Sequence, residues 1–484
     1  MKLLLKFHLL LVSLLIALTA SMAQKVNIEF KINGLENEEL IIAHHYGENT
    51  LVDDTLQLNI NGVATLKADT LFPRGLYLCI FPDRSYFEFI MPEDQVFAIE
   101  TDNGANAREY IQNMKIKGSD INKQFIEYQL FMIDKNQESN DLRQAMKDDP
   151  NNQAIKDQLN DLNKQVKSEW ERIQNKYPDS FLDKMLSALS EVKVPDAPQN
   201  ESGQPKDSLF QYNYYKNHFF DYIDFSDNQL LYSPVYHRKL KYYFDRVVIR
   251  RPDSAIAAAD RLLKKLEDKP EYFQYTLAFV FNKYAQTKYM GFDQVMVHLA
   301  ENYYLNGRAH WVSDEYLDKL RERVQKLKPN LIGNKAPKLN KAQSIEGYFY
   351  PLHDVEAKYT VVAFWEPNCG HCKKVIPKLH ETVFSEMHNI GVQVYAFYTQ
   401  VDKQEWSNFL EEKGLTDWIN VWDPNNFTDF RNKYDVYSTP SLFLLNQDKE
   451  IIAKRVDVET IKSIILEKEK IGRASCRERV YTKV

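Results

Sequence analysis

Apolar and polar residues alternate with a period of two along the first part of the chain, and Asn-Gly pairs separate several of the runs. Successive side chains of a strand point to opposite faces, and Asn-Gly favours tight turns, so this pattern predicts antiparallel strands. The sequence therefore predicts an antiparallel β-sandwich domain over residues 24–118. Its clearest predicted strands are Val26–Phe30, Leu40–Ala43, Leu56–Ile60, Tyr86–Ile90 and Val96–Ile99.

The spacing of apolar residues changes to three or four between residues 119 and 328, which predicts a mostly α-helical middle domain. The longest such stripe runs from Ile155 to Ile173 and follows Pro150. We expect it to lie in a core or against a helix near residues 121–132, with a partner-binding face as the alternative. Residues 194–208 contain several prolines and are predicted to be a loop or linker. An aromatic-rich stretch, residues 210–244, is predicted to be helical core, with a binding surface as the alternative.

Residues 329–470 combine both patterns and predict a C-terminal α/β domain. A strand–helix–strand order followed by a pair of short strands is typical of such a domain. The predicted elements are the strand Tyr359–Trp365, the helix Cys372–His388, the strand Val392–Tyr398, the helix Lys403–Lys413, a loop through Trp418 and Trp422, and the strands Ser441–Leu445 and Ile451–Lys454.

The two ends of the chain differ from the rest. Residues 1–23 have two early lysines, an apolar run and a small-x-small site, which predicts a secretory signal peptide, with an uncleaved anchor as the alternative. No cysteine directly follows the predicted cleavage site, so we do not expect a lipoprotein. We expect export to the periplasm. Residues 471–484 interrupt the amphipathic pattern before them and resemble a translated sequencing adapter.

Length and composition fit this organisation. The chain has 484 residues, which is long for a single domain, and its 44% hydrophobic content is ample for packed cores. The formal net charge is −6, and no strongly basic segment stands out. Neither nucleic acid nor an anionic membrane surface is therefore an expected partner.

The candidate chemistry lies in Cys369-Gly370-His371-Cys372, between the apolar run that ends at Trp365 and a predicted helix. A cysteine at a helix N-terminus meets unpaired backbone N–H groups and the positive end of the helix dipole, which favour the thiolate. Cys372 follows one helical turn later and can close a disulfide with Cys369. The pattern therefore predicts a redox-active pair.

Three other uses of the two cysteines are less consistent with the sequence. A zinc site usually needs four ligands, and the chain has only two more cysteines, Cys79 and Cys476, so no metal site is expected. A structural disulfide across so short a loop would stabilise little. A c-type haem would need histidine where Lys373 stands. Cys79 lies in an apolar run and is predicted to be a buried core residue.

The C-terminal domain resembles the TlpA-like thioredoxin-fold disulfide oxidoreductases, and the layout of the whole chain resembles periplasmic proteins of Bacteroidota. Four separated segments carry the resemblance to the family. They are Gly333-Asn334-Lys335-Ala336-Pro337, Phe364-Trp365-Glu366-Pro367-Asn368-Cys369-Gly370-His371-Cys372, Pro377, and Tyr434-Asp435-Val436-Tyr437-Ser438-Thr439-Pro440-Ser441. The resemblance implies a cis Pro440 beside the cysteines.

The resemblance also implies an exported oxidoreductase that acts by thiol–disulfide exchange and needs no cofactor beyond its own cysteines. Cys369 is expected to attack and Cys372 to resolve, with His371 favouring the Cys369 thiolate. Trp365, Thr439 and Pro440 are the expected substrate-binding residues. The expected partners are protein disulfides and a membrane electron donor.

One departure from the family concerns proton transfer. Related proteins often carry an acid at the positions of Ala363 or Val375, and this chain does not. His371, Glu366 or water are the remaining candidates. Two other functions stay open: a peroxiredoxin-like peroxidase, and a non-catalytic binding protein that retains the cysteine motif.

Overall fold

The structure is a computed structural model that describes residues 25–104 and 106–481. The predicted signal peptide and the last three residues of the predicted adapter tail lie outside the described residues. The chain forms two compact units. One contains the described residues up to Val248 together with Leu266–Phe273, and the other contains Ile249–Lys265 and the residues from Gln274 onward. The domain boundaries given above stay a prediction.

The first unit begins with two four-stranded sheets, ordered β4-β1-β7-β8 and β3-β2-β5-β6. Most neighbours are antiparallel, as predicted, but β1 and β7 run parallel. The strands are β1 Val26–Asn33, β2 Glu39–Tyr46, β3 Asn49–Gln57, β4 Val63–Ala68, β5 Gly75–Ile80, β6 Tyr86–Met91, β7 Gln95–Asp102 and β8 Lys115–Lys117.

The two sheets share one hydrophobic core. Alternate residues of β1 are buried, and Phe30 on β1 meets Phe89 on β6 with ring centroids 5.7 Å apart. Cys79 on β5 is fully buried in this core, which confirms the prediction for it. Burial also raises the pKa of the Cys79 thiol, so the thiol is unreactive.

Helices occupy the middle of the chain. They are α1 Ala107–Gln112, α2 Asp120–Asp148, α3 Gln153–Lys176, α4 Phe181–Leu189, α5 Phe210–His218, α6 Pro234–Tyr242, α7 Pro252–Lys265, α8 Pro270–Ala285, α9 Asp293–Leu299 and α10 Asp314–Leu327. Short π-helical turns, Tyr243–Val247 and Ala300–Arg308, extend α6 and α9.

The predicted amphipathic helix is α3, and it lies beside α2. Side chains cap both helices, because Ser119 accepts from the Asn122 N–H group and Asn152 accepts from that of Ile155. Residues 194–208, predicted as a linker, form turns and one isolated bridge. The β-sheet domain and the helical middle expected from the sequence are therefore confirmed.

The C-terminal α/β region belongs to the second unit and has one five-stranded sheet, ordered β11-β10-β9-β12-β13. The central strand β9 is parallel to β10 and antiparallel to β12. The strands are β9 Tyr359–Trp365, β10 Val392–Tyr398, β11 Ile419–Trp422, β12 Ser441–Leu445 and β13 Ile451–Lys454. The helices are α11 Cys372–Leu379, α12 Lys403–Lys413, α13 Phe430–Lys433 and α14 Val458–Tyr481.

Four predicted strands and the helix α12 have the predicted bounds. The segment through Trp418 and Trp422 was predicted as a loop, and this prediction was wrong for β11, which pairs in parallel with β10 at the edge of the sheet. The helix that starts at Cys372 is also less regular than predicted. It passes into a π-helical turn, His380–Phe384, and a short α-turn, Ser385–Met387.

Both faces of this sheet are covered, which explains why every residue of β9 is buried. Trp365 and Cys372 belong to the core on one face, and Phe364 belongs to the core on the other face. The cysteine motif therefore follows the end of the central strand of the sheet. Across residues 25–104 and 106–481, the structure contains no helix with the length and apolar character needed to cross a bilayer.

Candidate active site

The cysteine motif connects the end of β9 to the start of α11. Trp365 is the last residue of the strand, and residues 366–371 turn the chain into the helix. The Lys373 N–H group donates to the Cys369 carbonyl oxygen at 3.1 Å, and the Val375 N–H group donates to that of His371 at 3.0 Å. These bonds close the first helical turn, so Cys369 lies just before the helix and Cys372 lies inside it.

Cys369 is partly exposed and lies at the helix N-terminus. The Cys372 N–H group points at the Cys369 sulfur, with a nitrogen–sulfur distance of 3.3 Å. Burial opposes ionisation, but hydrogen bonds from Cys372, Thr439 and the His371 backbone outweigh it and hold the pKa of Cys369 below its ordinary value. The exposed cysteine of the pair is therefore the better nucleophile.

Cys372 has the opposite environment. It is fully buried in the core that contains Trp365 and Ile376. Burial raises the pKa of the Cys372 thiol to about 12. Cys372 is a neutral thiol at neutral pH, and it must lose a proton before it can react. In this structure Cys369, Cys372 and Cys79 are all free thiols.

Thr439 and Pro440 lie beside the cysteines, as the resemblance implied. The Thr439–Pro440 peptide bond is cis. The Cys369 Sγ atom donates to the Thr439 carbonyl oxygen at 3.2 Å. Both residues are partly exposed, so a substrate chain can reach the backbone next to Cys369.

A buried ion-pair cluster anchors the segment that leads to Thr439. The Asp435 carboxylate is buried and binds both Arg323, at 2.7 Å, and Arg455. Arg455 also donates to the Asp435 carbonyl oxygen at 2.6 Å. Asp435 adopts φ 54°, a left-handed conformation that aspartate tolerates better than most residues. Sequence reasoning gave Asp435 no role beyond its place in a matching segment.

Glu366 is the site residue whose contacts sequence reasoning did not find. Its carboxylate accepts a hydrogen bond from the Thr439 hydroxyl at 2.7 Å and another from the Gln400 amide. Glu366 directly follows β9, so it reaches from the cysteine turn to the residue before the cis proline. Its position between the strand and the motif was the only indication in the sequence.

Trp365 was predicted to bind substrate, and this prediction was wrong, because its side chain is fully buried. Its ring packs against Phe409, with centroids 5.0 Å apart, and against Tyr398. Trp365 therefore supports the cysteine motif from the core that it shares with Cys372. The His371 side chain is exposed and makes no capping hydrogen bond at the helix start. The contribution of His371 there comes from its backbone N–H group and not from its imidazole.

Between residues 25 and 481, residue 105 apart, no group of three or more histidine, cysteine, aspartate or glutamate residues is placed to bind a metal ion. Cys369 and Cys372, with Thr439 and Glu366 around them, are the reactive groups that the geometry brings together.

Comparison with protein families assigns two parts of the chain. Residues 356–451 match a thioredoxin-like family, and this range contains β9, the cysteine motif and the cis proline. The C-terminal domain belongs to the thioredoxin-like family. Residues 154–330 match a domain of unknown function, DUF5106. Comparison with curated proteins gives no match.

Several solved structures are similar to parts of the chain. A domain of a possible thiol-disulfide isomerase from Cytophaga hutchinsonii has 39% identity, covers 30% of this chain and 97% of its own, and has a TM-score of 0.28. A thioredoxin-like protein from Bacteroides caccae has 18% identity, covers 57% and 98%, and has a TM-score of 0.44. A thiol:disulfide interchange protein from a Bacteroides species has 24% identity, covers 28% and 87%, and has a TM-score of 0.25.

Proposed function

We propose that this chain is an exported thiol–disulfide oxidoreductase that reduces or isomerises protein disulfides. The observation that carries the proposal is the contrast between the two cysteines. Cys369 is partly exposed with a lowered pKa, and Cys372 lies buried beside it as a neutral thiol. A pair with this contrast suits one attacking and one resolving sulfur.

The reaction begins when the Cys369 thiolate attacks one sulfur of a partner disulfide. A Cys369–partner disulfide forms, and the other partner sulfur leaves as a thiolate. Cys372 then loses its proton and attacks Cys369 Sγ, which forms the Cys369–Cys372 disulfide and releases the second partner sulfur. The protein is oxidised by two electrons and the partner is reduced by two.

The partly exposed backbone at Thr439 suits an extended protein substrate. Its carbonyl group lies next to Cys369, so a substrate strand that pairs with this backbone would bring its disulfide to the sulfur. We propose that the chain works in the periplasm and that a membrane donor returns the Cys369–Cys372 disulfide to the dithiol. The signal-like sequence at residues 1–23 supports export.

Insulin reduction by the full chain, with dithiothreitol as electron donor, tests this function. We expect turnover with the wild-type chain, loss of turnover with Cys369→Ser, and a trapped mixed disulfide with Cys372→Ser. Cys79→Ala is the matched control, because Cys79 lies outside the site, and it should retain turnover. Absence of turnover in the folded wild-type chain would favour a binding role, and rapid peroxide consumption would favour a peroxidase.

A further inference from the structure

Glu366 joins three turns at one end of the C-terminal sheet. It directly follows β9, and the Trp365 carbonyl oxygen before it accepts from the Thr399 N–H group, at 3.0 Å, at the end of β10. One oxygen of the Glu366 carboxylate accepts from the Gln400 amide, and the other accepts from the Thr439 hydroxyl at 2.7 Å. Glu366 therefore links the cysteine turn both to the turn after β10 and to the turn before β12.

Thr439 ends a short exposed stretch. Asp435 is buried, whereas Tyr437 and Ser438, directly before Thr439, are exposed. Two hydrogen bonds connect Thr439 to the cysteine turn. Its hydroxyl donates to Glu366, and its carbonyl oxygen accepts from the Cys369 sulfur at 3.2 Å. These two bonds hold the backbone that faces the reactive sulfur.

The two bonds differ in what the reaction does to them. The bond from Cys369 needs the thiol proton, which is absent from the attacking thiolate and from the mixed disulfide. Once it is lost, the Thr439 carbonyl oxygen is free to accept an N–H group of a substrate strand. The bond to Glu366 contains no sulfur, so thiol–disulfide exchange leaves it intact. Glu366 can therefore hold Thr439 in place while the substrate is bound.

We propose that Glu366 is a positioning residue that fixes the Thr439 backbone for extended protein substrates. It thereby sets a preference of the site for protein disulfides over small disulfides. This inference rests on the proposed thiol–disulfide exchange. A backbone group that is already held in place loses less conformational freedom when a substrate strand pairs with it. A small disulfide without peptide groups has no strand to pair, so it gains nothing from this positioning.

A comparison of two disulfides measures the preference. Reduced full chain carrying Cys476→Ser is mixed with insulin or with hydroxyethyl disulfide, which has no peptide group. Acid quenching, alkylation and mass spectrometry then give the rate constant of oxidation by each. The ratio of the two rate constants cancels effects common to both substrates. One such effect is the change in Cys369 reactivity when a charge near the sulfur is removed.

Glu366→Ala is the key variant, because it removes the bond to Thr439. We expect the ratio of the insulin rate constant to the hydroxyethyl disulfide rate constant to fall about tenfold, the size expected for a lost hydrogen bond to a charged group. Insulin concentration series should show the loss mainly as a higher half-saturating concentration. Glu366→Gln keeps an oxygen that can accept from Thr439 and should retain most of the ratio. Glu381→Ala, at an exposed site, should keep the wild-type ratio.

Thr439 variants test the other end of the same bond. Thr439→Val keeps the shape without the hydroxyl and should lower the ratio by a similar factor, whereas Thr439→Ser should restore it. Because Glu366→Ala and Thr439→Val break the same bond, the double variant should fall no further than the single variants.

A wild-type ratio in Glu366→Ala would overturn the positioning role. Equal losses in Glu366→Ala and Glu366→Gln would also overturn it, because the charge and not the hydrogen bond would then set the ratio. If Glu366→Ala does not fold, the comparison of Thr439→Val with Thr439→Ser decides. Failure of the folded wild-type chain to react with either disulfide would instead refute the proposed exchange reaction.

Discussion

The Cys369 sulfur lies 3.2 Å from the carbonyl oxygen of Thr439, although seventy positions separate the two residues in the chain. The contact joins the turn after β9 to the turn before β12. Those two strands are neighbours in the sheet, with Phe364 paired to Ser441. Cys369 and the Thr439 backbone are therefore both attached to neighbouring strands of the same sheet.

The first prediction concerns which thiol reacts. Iodoacetamide should modify Cys369 of the reduced chain before Cys372, because only Cys369 is both partly exposed and lowered in pKa. Thiolate grows as pH rises, so the modification rate of Cys369 should level off at a lower pH than that of a free cysteine. Peptide mass spectrometry across a pH series measures both. Earlier labelling of Cys372 would contradict the assignment.

The second prediction concerns the support beneath the motif. Trp365→Ala removes a fully buried indole and should lower the free energy of unfolding by about 3–5 kcal/mol. Urea unfolding of the chain measures this loss. Tyr348→Ala is the matched control, because that ring is 69% exposed and should change stability by less than about 0.5 kcal/mol. Equal effects of the two variants would be inconsistent with a supporting role for Trp365.

Much of the C-terminal domain could be predicted from the sequence because its central strands are continuous apolar runs and its helices have clear limits. Strand β11 was missed because it is a short edge strand, with Trp418 directly before it and Trp422 as its last residue, in a turn-like context. The strand predicted at Leu56–Ile60 lies too far towards the C-terminus, because the observed strand β3 is Asn49–Gln57. The reason is related. Strand β3 forms the edge of its sheet and buries only Leu56, so it shows no alternating pattern.

The site was predictable only in part. Cys369, Cys372 and Pro440 follow from a local motif and from a resemblance. The contacts of Glu366 and Asp435 do not, because each depends on residues distant in the chain, Gln400 and Thr439 for one and Arg323 and Arg455 for the other. Burial of Trp365 also depends on Tyr398 and Phe409, which pack against its ring and are distant from it in the chain. The sequence around Trp365 does not reveal these contacts.

The third prediction concerns the Asp435 anchor. Asp435→Asn keeps the shape and tolerates φ 54° but loses the charge that binds Arg323 and Arg455. Hydrogen bonds to charged groups contribute about 1.5–3 kcal/mol each, and both arginines are partly exposed, so we expect a loss of about 2 kcal/mol in unfolding free energy. Urea unfolding measures it. Asp354→Asn, an exposed site, is the control, and an equal loss there would contradict the anchor.

The fourth prediction concerns the redox potential and the part that His371 plays in it. Stabilising the Cys369 thiolate favours the dithiol over the disulfide, so the couple should be more oxidising than thioredoxin, above roughly −270 mV. In this structure the stabilising groups include backbone N–H groups at the helix start. Any residue other than proline at position 371 would supply its own N–H group. The exposed imidazole should therefore contribute little.

His371→Ala should accordingly shift the potential of the full chain by less than about 30 mV, which corresponds to about 1.4 kcal/mol for two electrons. Solvent screens an exposed charge, so even a protonated imidazole should act weakly on the thiolate. Equilibration with glutathione redox buffers, followed by alkylation of remaining thiols, measures the potential. His388→Ala, at another exposed histidine of the domain, is the control. A larger shift for His371→Ala alone would assign the imidazole a direct role, and a wild-type potential at or below that of thioredoxin would contradict thiolate stabilisation at the helix start.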